Sequence, residues 1–500
     1  MSYPMKKAAG IAVGLALVVG AVAVGGAWYT STQLEGALKQ AVDQTNAQWS
    51  KTLPDRSAYM ELVSFEKGVF KSTAHYRIVM PGSGLGLDKP LELLIVDHLE
   101  HGPFPASRLA SFKLMPVMAS SHYALESSPS TQAWFAAASG TAPALGTAVI
   151  GYDRQVEGTL TLRPFEFAEG DKRLASSGAT LAFKTDLDVK QYQLDLAADS
   201  ITLASPTESG SVVSTTVKGI RTTSNRSLGQ TGFYMGRTDF GAQSMQIEGD
   251  NAAPVVMREI TAQDNLQEHG MRLADTIHYE MGGMTVNGKD VGSARMSLSF
   301  KDVDAAALQG MTTTYSQYAE RVQLDPETQQ MPPMLPNERS RMQAFGGAFL
   351  AANPVLTLDE LSFKTAHGET RMNLSVNLVR PAGYEQMLLP QIYQQMVRQL
   401  DLQVRLSKPM IGDLLALKSD PSQDAVEAAQ QAQAVSDAIG NMAVSSQMAR
   451  VEGDTIISTL KYADNVVDFN GQKMSPEQFI GQMMSTAMGL VGMQLGNQSQ

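Results

Sequence analysis

From about residue 59 to residue 300, apolar and polar side chains alternate with a period of two. Thr159-Leu160-Thr161-Leu162 alternates, and so do Tyr192, Leu194 and Leu196 across Gln193 and Asp195. Ala294, Met296, Leu298 and Phe300 alternate against Arg295, Ser297 and Ser299. Successive side chains on a strand point to opposite faces, so this pattern gathers the apolar set on one face. The other face carries Ser, Thr, Asn, Asp, Gln or Lys. A sheet buried on one side only is tolerated when it is antiparallel, whereas parallel sheets are covered on both faces. Turn signals punctuate the runs at Glu66-Lys67-Gly68, Pro81-Gly82-Ser83-Gly84, Glu169-Gly170-Asp171 and Gly249-Asp250-Asn251. No helical run of crossover length separates them, which excludes a βαβ fold. The spacing predicts an antiparallel β-rich domain over residues 59–300, laid out as a meander.

Helical signals gather at the two ends. Residues 31–58 read as a helical stalk that Pro54 closes. Residues 301–353 read as a helical segment interrupted by a linker. Asp304 caps a helix from Ala305 toward Tyr318, LDPETQQMPPMLPN (324–337) supplies four prolines, and a second helix covers 338–352. Residues 354–500 read as mixed strand and helix. Val355–Phe363 and Thr370–Leu378 flank a turn at His367-Gly368. A helix broken at Pro390 covers 384–399, and a strand runs from Leu400 to Leu406. An Ala/Gln-rich helical stretch from Pro409 to about 447 is divided by Pro421. Thr455–Tyr462 and Val466–Phe469 make a hairpin. In the last helix Ser475 is the N-cap, Pro476 is at N1 and Gln478 completes a capping box. The fold class read from this pattern is α+β: an N-terminal transmembrane helix, then a long antiparallel β-meander with helices concentrated in the C-terminal third.

Ala8 to Tyr29 is free of charged residues. As a helix this run spans about 33 Å, enough to cross a bilayer. Lys6 and Lys7 precede it, so residues 1–7 stay in the cytoplasm and residues 8–29 form a single-pass anchor. In a two-membrane bacterium this makes an inner-membrane protein with the bulk of the chain in the periplasm. Trp28 and Tyr29 suit the membrane interface. The alternative is a cleaved signal peptide, for which Ala21-Val22-Ala23 would be the recognition site. Gly10 and Gly14 form one G-x-x-x-G, a candidate helix-dimer face and the reason to consider a homodimer.

Composition narrows the function classes. The chain has 39 Lys+Arg against 50 Asp+Glu, and a net charge of -11 argues against a nucleic-acid partner. It has no Cys. That excludes disulfides, Cys-ligated metals and a thiol nucleophile, and it suits an oxidising compartment.

Candidate chemistry is sparse. Of the seven histidines only His98 and His101 are close, in Asp97-His98-Leu99-Glu100-His101. On a strand these potential ligands split between two faces, so no metal site is assigned. Ser64-x-x-Lys67 matches a serine–lysine spacing, but strand geometry puts the pair on opposite sides. No nucleophile elbow, phosphate loop or metalloprotease motif occurs. No catalytic, cofactor-binding or metal-binding residue is therefore assigned, and no enzyme is expected. The loop His101-Gly102-Pro103-Phe104-Pro105 is a candidate binding or structural loop. Its prolines fix φ, its glycine supplies the bend, Phe104 is expected to plug an apolar pocket, and His101 to bond backbone. The 28 methionines, many in the C-terminal half, fill cores or line adaptable apolar surfaces.

Several strings carry a resemblance. They are Gly25-Gly26-Ala27-Trp28-Tyr29-Thr30, Lys67-Gly68-Val69-Phe70, and His101-Gly102-Pro103-Phe104-Pro105 with Leu114, Pro116, Met118, Ala119 and Ser120 after it. Asn470-Gly471-Gln472-Lys473-Met474-Ser475 is the fourth. In these the chain resembles the YdgA/YihF-like family of bacterial envelope proteins, a family of unknown function. The resemblance implies an inner-membrane, periplasm-facing protein and brings no catalytic residues with it. The first functional expectation is a non-enzymatic envelope protein that binds partners or acts as a scaffold. The alternative is lipid binding or transfer along an apolar β-groove, by fold-level analogy with AsmA-like envelope proteins. Whether helices fill the apolar sheet face or leave it open separates the two.

Overall fold

A computed structural model of the chain describes residues 58–497 apart from 81–89, 208–209, 251, 322–331, 388–390, 393–394 and 418–424, with single positions between 36 and 49. The chain divides into two compact units. The first holds residues up to 252 together with 312–338, and the second holds 253–311 and 339–500.

The first unit opens as a meander of β1 (Tyr59–Glu66), β2 (Lys71–Met80), β3 (Leu91–His101), β4 (Ala119–Glu126), β5 (Ala144–Ile150) and β6 (Gln155–Leu162). Each pairs antiparallel with the next. Two short helices, α1 (Ala106–Ala110) and α2 (Gln132–Ala137), sit in the connections flanking β4. The hairpin β7 (Phe165–Glu169) and β8 (Lys172–Ser176) then stands aside, so β6 pairs with β9 (Ala179–Asp186). β10 (Gln191–Pro206) is long enough to take two partners end to end. β9 lies along Tyr192–Ala198 and β8 along Ile201–Ala204. β11 (Val212–Leu228) and β12 (Tyr234–Gly249) continue the ladder.

The core of this unit follows from the alternation. Tyr76 and Ile78 of β2, Ile95 and Leu99 of β3, Ile150 of β5 and Val156 of β6 turn inward and are buried. Leu38, Val42 and Trp49, at helical positions, belong to the same cluster. Each such side chain contributes about 1.5–3 kcal/mol on burial. Asn46 joins helix to sheet, because its side-chain amide both donates to and accepts from the Met60 backbone at 2.8 Å. Gly146 leaves room for the Tyr123 ring, which a Cβ there would meet at 2.4 Å.

The second unit begins with β13 (Ala252–His269), β14 (Arg272–Val286) and β15 (Lys289–Asp304). The chain then leaves the sheet through α3 (Ala305–Arg321) and α4 (Pro336–Ala351). It returns as β16 (Val355–Lys364), β17 (Glu369–Leu378) and β18 (Val397–Ser407). Helices α5 (Lys408–Ala416) and α6 (Ala425–Ser445) follow, then β19 (Arg450–Glu452), β20 (Thr455–Ala463), β21 (Val466–Phe469), β22 (Gln472–Met474) and α7 (Pro476–Asn497). The ladder runs β13-β14-β15-β16-β17-β18-β20, all antiparallel. β20 repeats the arrangement seen at β10, with β19 and β21 end to end along its far edge. A small core of Leu350, Leu378, Tyr384 and Ile392 closes one end.

The mainly antiparallel architecture with helices toward the C-terminal end is the one read from the alternation. Asp304 accepts the Ala307 N–H at 2.7 Å and starts α3 as its cap. The transmembrane segment 8–29 and its Gly10/Gly14 face lie outside the described residues. Among the described residues no helix is long and apolar enough to cross a membrane. The helix expected over 384–399 is found in part: Gln391, Ile392 and Gln395 are helical, but Tyr384–Gln386 is a 3₁₀ turn and β18 already starts at Val397, paired with Leu378. Ladder pairing with β17 outweighs local helical preference there.

Candidate functional site

The loop that begins at His101 sits at one end of the first unit. Its neighbour is the β1–β2 turn, residues 67–70. The His101 N–H donates to the Phe70 carbonyl at 2.9 Å, and His101 Nε2 lies 2.9 Å from Ser72 Oγ. Partial burial lowers the pKa of this imidazole. Its partner is a side chain, not the backbone expected, because Ser72, opposite Leu99 in the β2–β3 ladder, lies diagonally across from it. The loop closes on itself through Gly102 N–H to Met118 O and Val117 N–H to Pro103 O. Gly102 is required, since a Cβ would meet the Val117 carbonyl at 1.8 Å. The Gly102–Pro103 peptide is cis. Phe104 does not plug a pocket: it is 53% exposed, because these backbone bonds close the loop without it. Pro105 then precedes α1 as its N-cap residue.

Glu100 anchors the same loop. Its carboxylate accepts from Ser107 N–H at 2.9 Å and Ser107 Oγ at 2.5 Å, and pairs with Lys71 at 2.9 Å. Burial alone would raise its pKa, but the bonds from Ser107 and Lys71 hold it at about 2. The two exact strings of the family resemblance, 67–70 and 101–105, are thus parts of one structure. Ser64 lies on β1 opposite His75, while Lys67 falls in the turn beyond it.

A second feature escaped the motif search. Asp97 is fully buried in the core of the first unit, between Ala74 of β2 and Tyr123 of β4. Oδ1 accepts from Ser121 Oγ at 2.6 Å, and Oδ2 has no partner. Burial pushes its pKa up to about 7, against the lowering effect of Ser121 and the His122 N–H. The buried Tyr76 hydroxyl also lacks a partner, and burial with the Asp97 charge raises its pKa. The signal was legible as an acid at an inward position of LELLIVDHL. Its zero exposure keeps a substrate away, so this is a core carboxyl and not a catalytic one. His98 is exposed on the opposite face, as the alternation required. Among the described residues no three His, Asp or Glu converge for a metal.

An Asp–His pair lies at the β16–β17 turn. Asp413 of α5 accepts from Thr365 Oγ1, from His367 N–H at 3.0 Å and from His367 Nδ1 at 2.6 Å. Ser407 is committed elsewhere, capping α5 at Met410 N–H. The pair fastens a turn onto a helix.

A broad apolar surface lies in the second unit. One rung of its ladder is apolar across strand after strand: Ile277, Leu298, Leu358, Leu374, Leu402 and Leu460 stand opposite one another in turn. Phe469 extends it onto β21. The flanking rungs run through Tyr279, Met296, Leu361, Met372 and Val404, and through Phe300, Leu356, Val376, Leu400 and Tyr462. A register shift between Leu358 and Leu361 holds both on the same face, which strict alternation would forbid. Apart from the buried Phe469, these side chains are only partly buried or exposed; Leu361 is 41% exposed and Tyr279 44%. Helices cover part of this face, the cluster around Leu350 reaching Val376. Phe479 of α7 packs on Phe469, and Phe349 and Leu350 of α4 pack around Leu378 and Val397. The reverse face carries Arg295, Ser297, Asn373, Ser375, Asp401 and Gln403.

Comparison with known proteins bears on this arrangement. The family profile described as "Bacterial protein of unknown function (DUF945)" matches residues 5–477. The chain belongs to this family. Within the family, protein YdgA of Escherichia coli K12 is 27% identical over 492 residues, covering 96% of this chain and 97% of its own. The uncharacterised protein YihF of the same organism is 24% identical, covering 95% and 98%. An uncharacterised protein of Haemophilus influenzae is 21% identical over 315 residues, 61% of this chain and 84% of its own. No solved structure matches.

Proposed function

We propose that this chain is an envelope protein that acts by binding, not by catalysis, and that its ligand is an acyl chain laid along the open face of the second unit. In this reading residues 8–29 hold it in the bacterial inner membrane and residues 31–500 lie in the periplasm. The observation that carries the reading is the run of aligned apolar residues from Ile277 to Leu460, each only partly buried, which ends on the buried Phe469. Large contiguous apolar surface in contact with water marks a ligand or partner site. The face is lined by Leu, Met, Val, Phe and Tyr without a charge, which suits hydrocarbon better than a headgroup. Its polar reverse side suits water.

The test is native mass spectrometry with lipid extraction on residues 31–500 purified from bacterial cells. Phospholipid is expected to co-purify, and Leu358→Asp combined with Leu402→Asp is expected to lose it while the far-UV spectrum stays unchanged. A lipid-free monomer would overturn the reading. A lipid-free dimer would put a second copy on the face and restore the scaffold reading.

A further inference from the structure

A different surface, at the loop end of the first unit, carries a second inference that stands without the acyl-chain reading. The β1–β2 turn and the β3–β4 connection lie side by side, tied by His101 N–H to Phe70 O and by the Lys71–Glu100 pair. Together they expose Val69, Phe70, Phe104, Phe112, Leu114 and Met115. Phe70 is 79% exposed and Phe112 89%. Phe112 is also held at φ 56°, in the left-handed region that an aromatic residue enters only at a cost. Six large apolar side chains exposed together on two adjoining loops mark an interaction surface.

Charge identifies the partner. KGVFK (67–71) holds Lys67 and Lys71 and no acid. Residues 102–118 hold Arg108 and Lys113 and no acid. Lys71 is paired with Glu100, which leaves Lys67, Arg108 and Lys113 as three cations around exposed aromatic and aliphatic tips in a chain whose net charge is -11. Aromatic rings that seat at the headgroup level, ringed by Lys and Arg, are the chemistry of an anionic membrane surface. An acidic protein groove would need the cations but not so much bare hydrocarbon.

We infer that this end of the first unit docks on a lipid bilayer carrying anionic headgroups, with Phe70 and Phe112 in the interface and Lys67, Arg108 and Lys113 over the phosphates. The chain has no Cys, so a single reporter can be placed cleanly. Full-length Phe112→Cys, labelled with an environment-sensitive dye, is mixed with vesicles of phosphatidylethanolamine and phosphatidylglycerol. Its emission is expected to shift to the blue and to be quenched by lipids carrying a nitroxide on the acyl chain. Lys184→Cys, exposed on β9, serves as the water-facing reference. Lys67→Glu with Lys113→Glu is expected to lower the quenched fraction at least about fivefold, and added salt to act in the same direction. The label reads the loop end whether or not residues 8–29 also hold the chain in the bilayer. Water-like emission at residue 112 would overturn the inference. A blue shift without nitroxide quenching would also overturn it, because a protein surface would then cover the patch.

Discussion

Asp97 and Glu100 lie three residues apart and titrate in opposite directions. The fully buried Asp97 has its pKa raised to about 7, so between about pH 4 and 7 the folded state binds more protons than the unfolded one. Its contribution to stability therefore falls as pH rises across that window and is level above it. Glu100, held at about 2, contributes fully above the ordinary carboxylate range and is lost only as pH falls toward 2. Urea midpoints at pH 4.5 and 8 test the first statement. Asp97→Asn is expected to abolish the Asp97 part of the slope, and three pK units correspond to about 4 kcal/mol at most. An identical slope in the variant would refute it. At this scale the strand pattern located Asp97, Leu99 and His98 on their proper faces, because alternation is a local property. It could not show that Phe104 points into water or that His101 bonds Ser72. Both depend on a loop's tertiary closure, and no period encodes that.

Elements with chemical punctuation were the most legible. In α7 Ser475 N–H donates to Gln478 Oε1 at 2.9 Å, and Ser475 Oγ accepts from Gln478 N–H at 3.3 Å, the reciprocal box read from Ser-Pro-Glu-Gln. Ser475→Ala is expected to cost about 1 kcal/mol, and faster amide exchange confined to the first turn of α7 is the measurement that checks it. Asp304 worked the same way for α3. Residues 384–399 did so only in part: Gln391, Ile392 and Gln395 are helical, but β17 offers Val397 a ladder partner and ends the helix early. The register shift at Asp359-Glu360 was equally hidden. Leu356 and Leu358 fall out of step with Leu361 and Phe363 as written, and only pairing with β15 and β17 brings all four to one face.

Across the whole molecule the two units differ in how they hold together. The first buries a contiguous apolar cluster from Leu38 to Leu187, while the second has its small core at one end and leaves its broad apolar face partly wet. Backbone bonds that water can reach open at lower cost. Amide exchange is therefore expected to be slowest in the centres of β2 to β5 and clearly faster in β14 to β16, resolved by peptide-level mass spectrometry. Equal protection in both would mean the open face is covered in solution. The period-two pattern made the sheet legible, but not its cover, since a half-buried face and a ligand face share one sequence signature. The ladder has a further consequence. Many strands paired within each unit, among them β10 with β11, β11 with β12, β13 with β14, β14 with β15 and β16 with β17, are joined by short turns. A chain of this kind can be laid down rung by rung in the order it is synthesised, each finished strand serving as the template for the one that follows. Arrest at any turn would leave an intact partial sheet with one unsatisfied edge, a ready seed for joining another chain stopped at the same place.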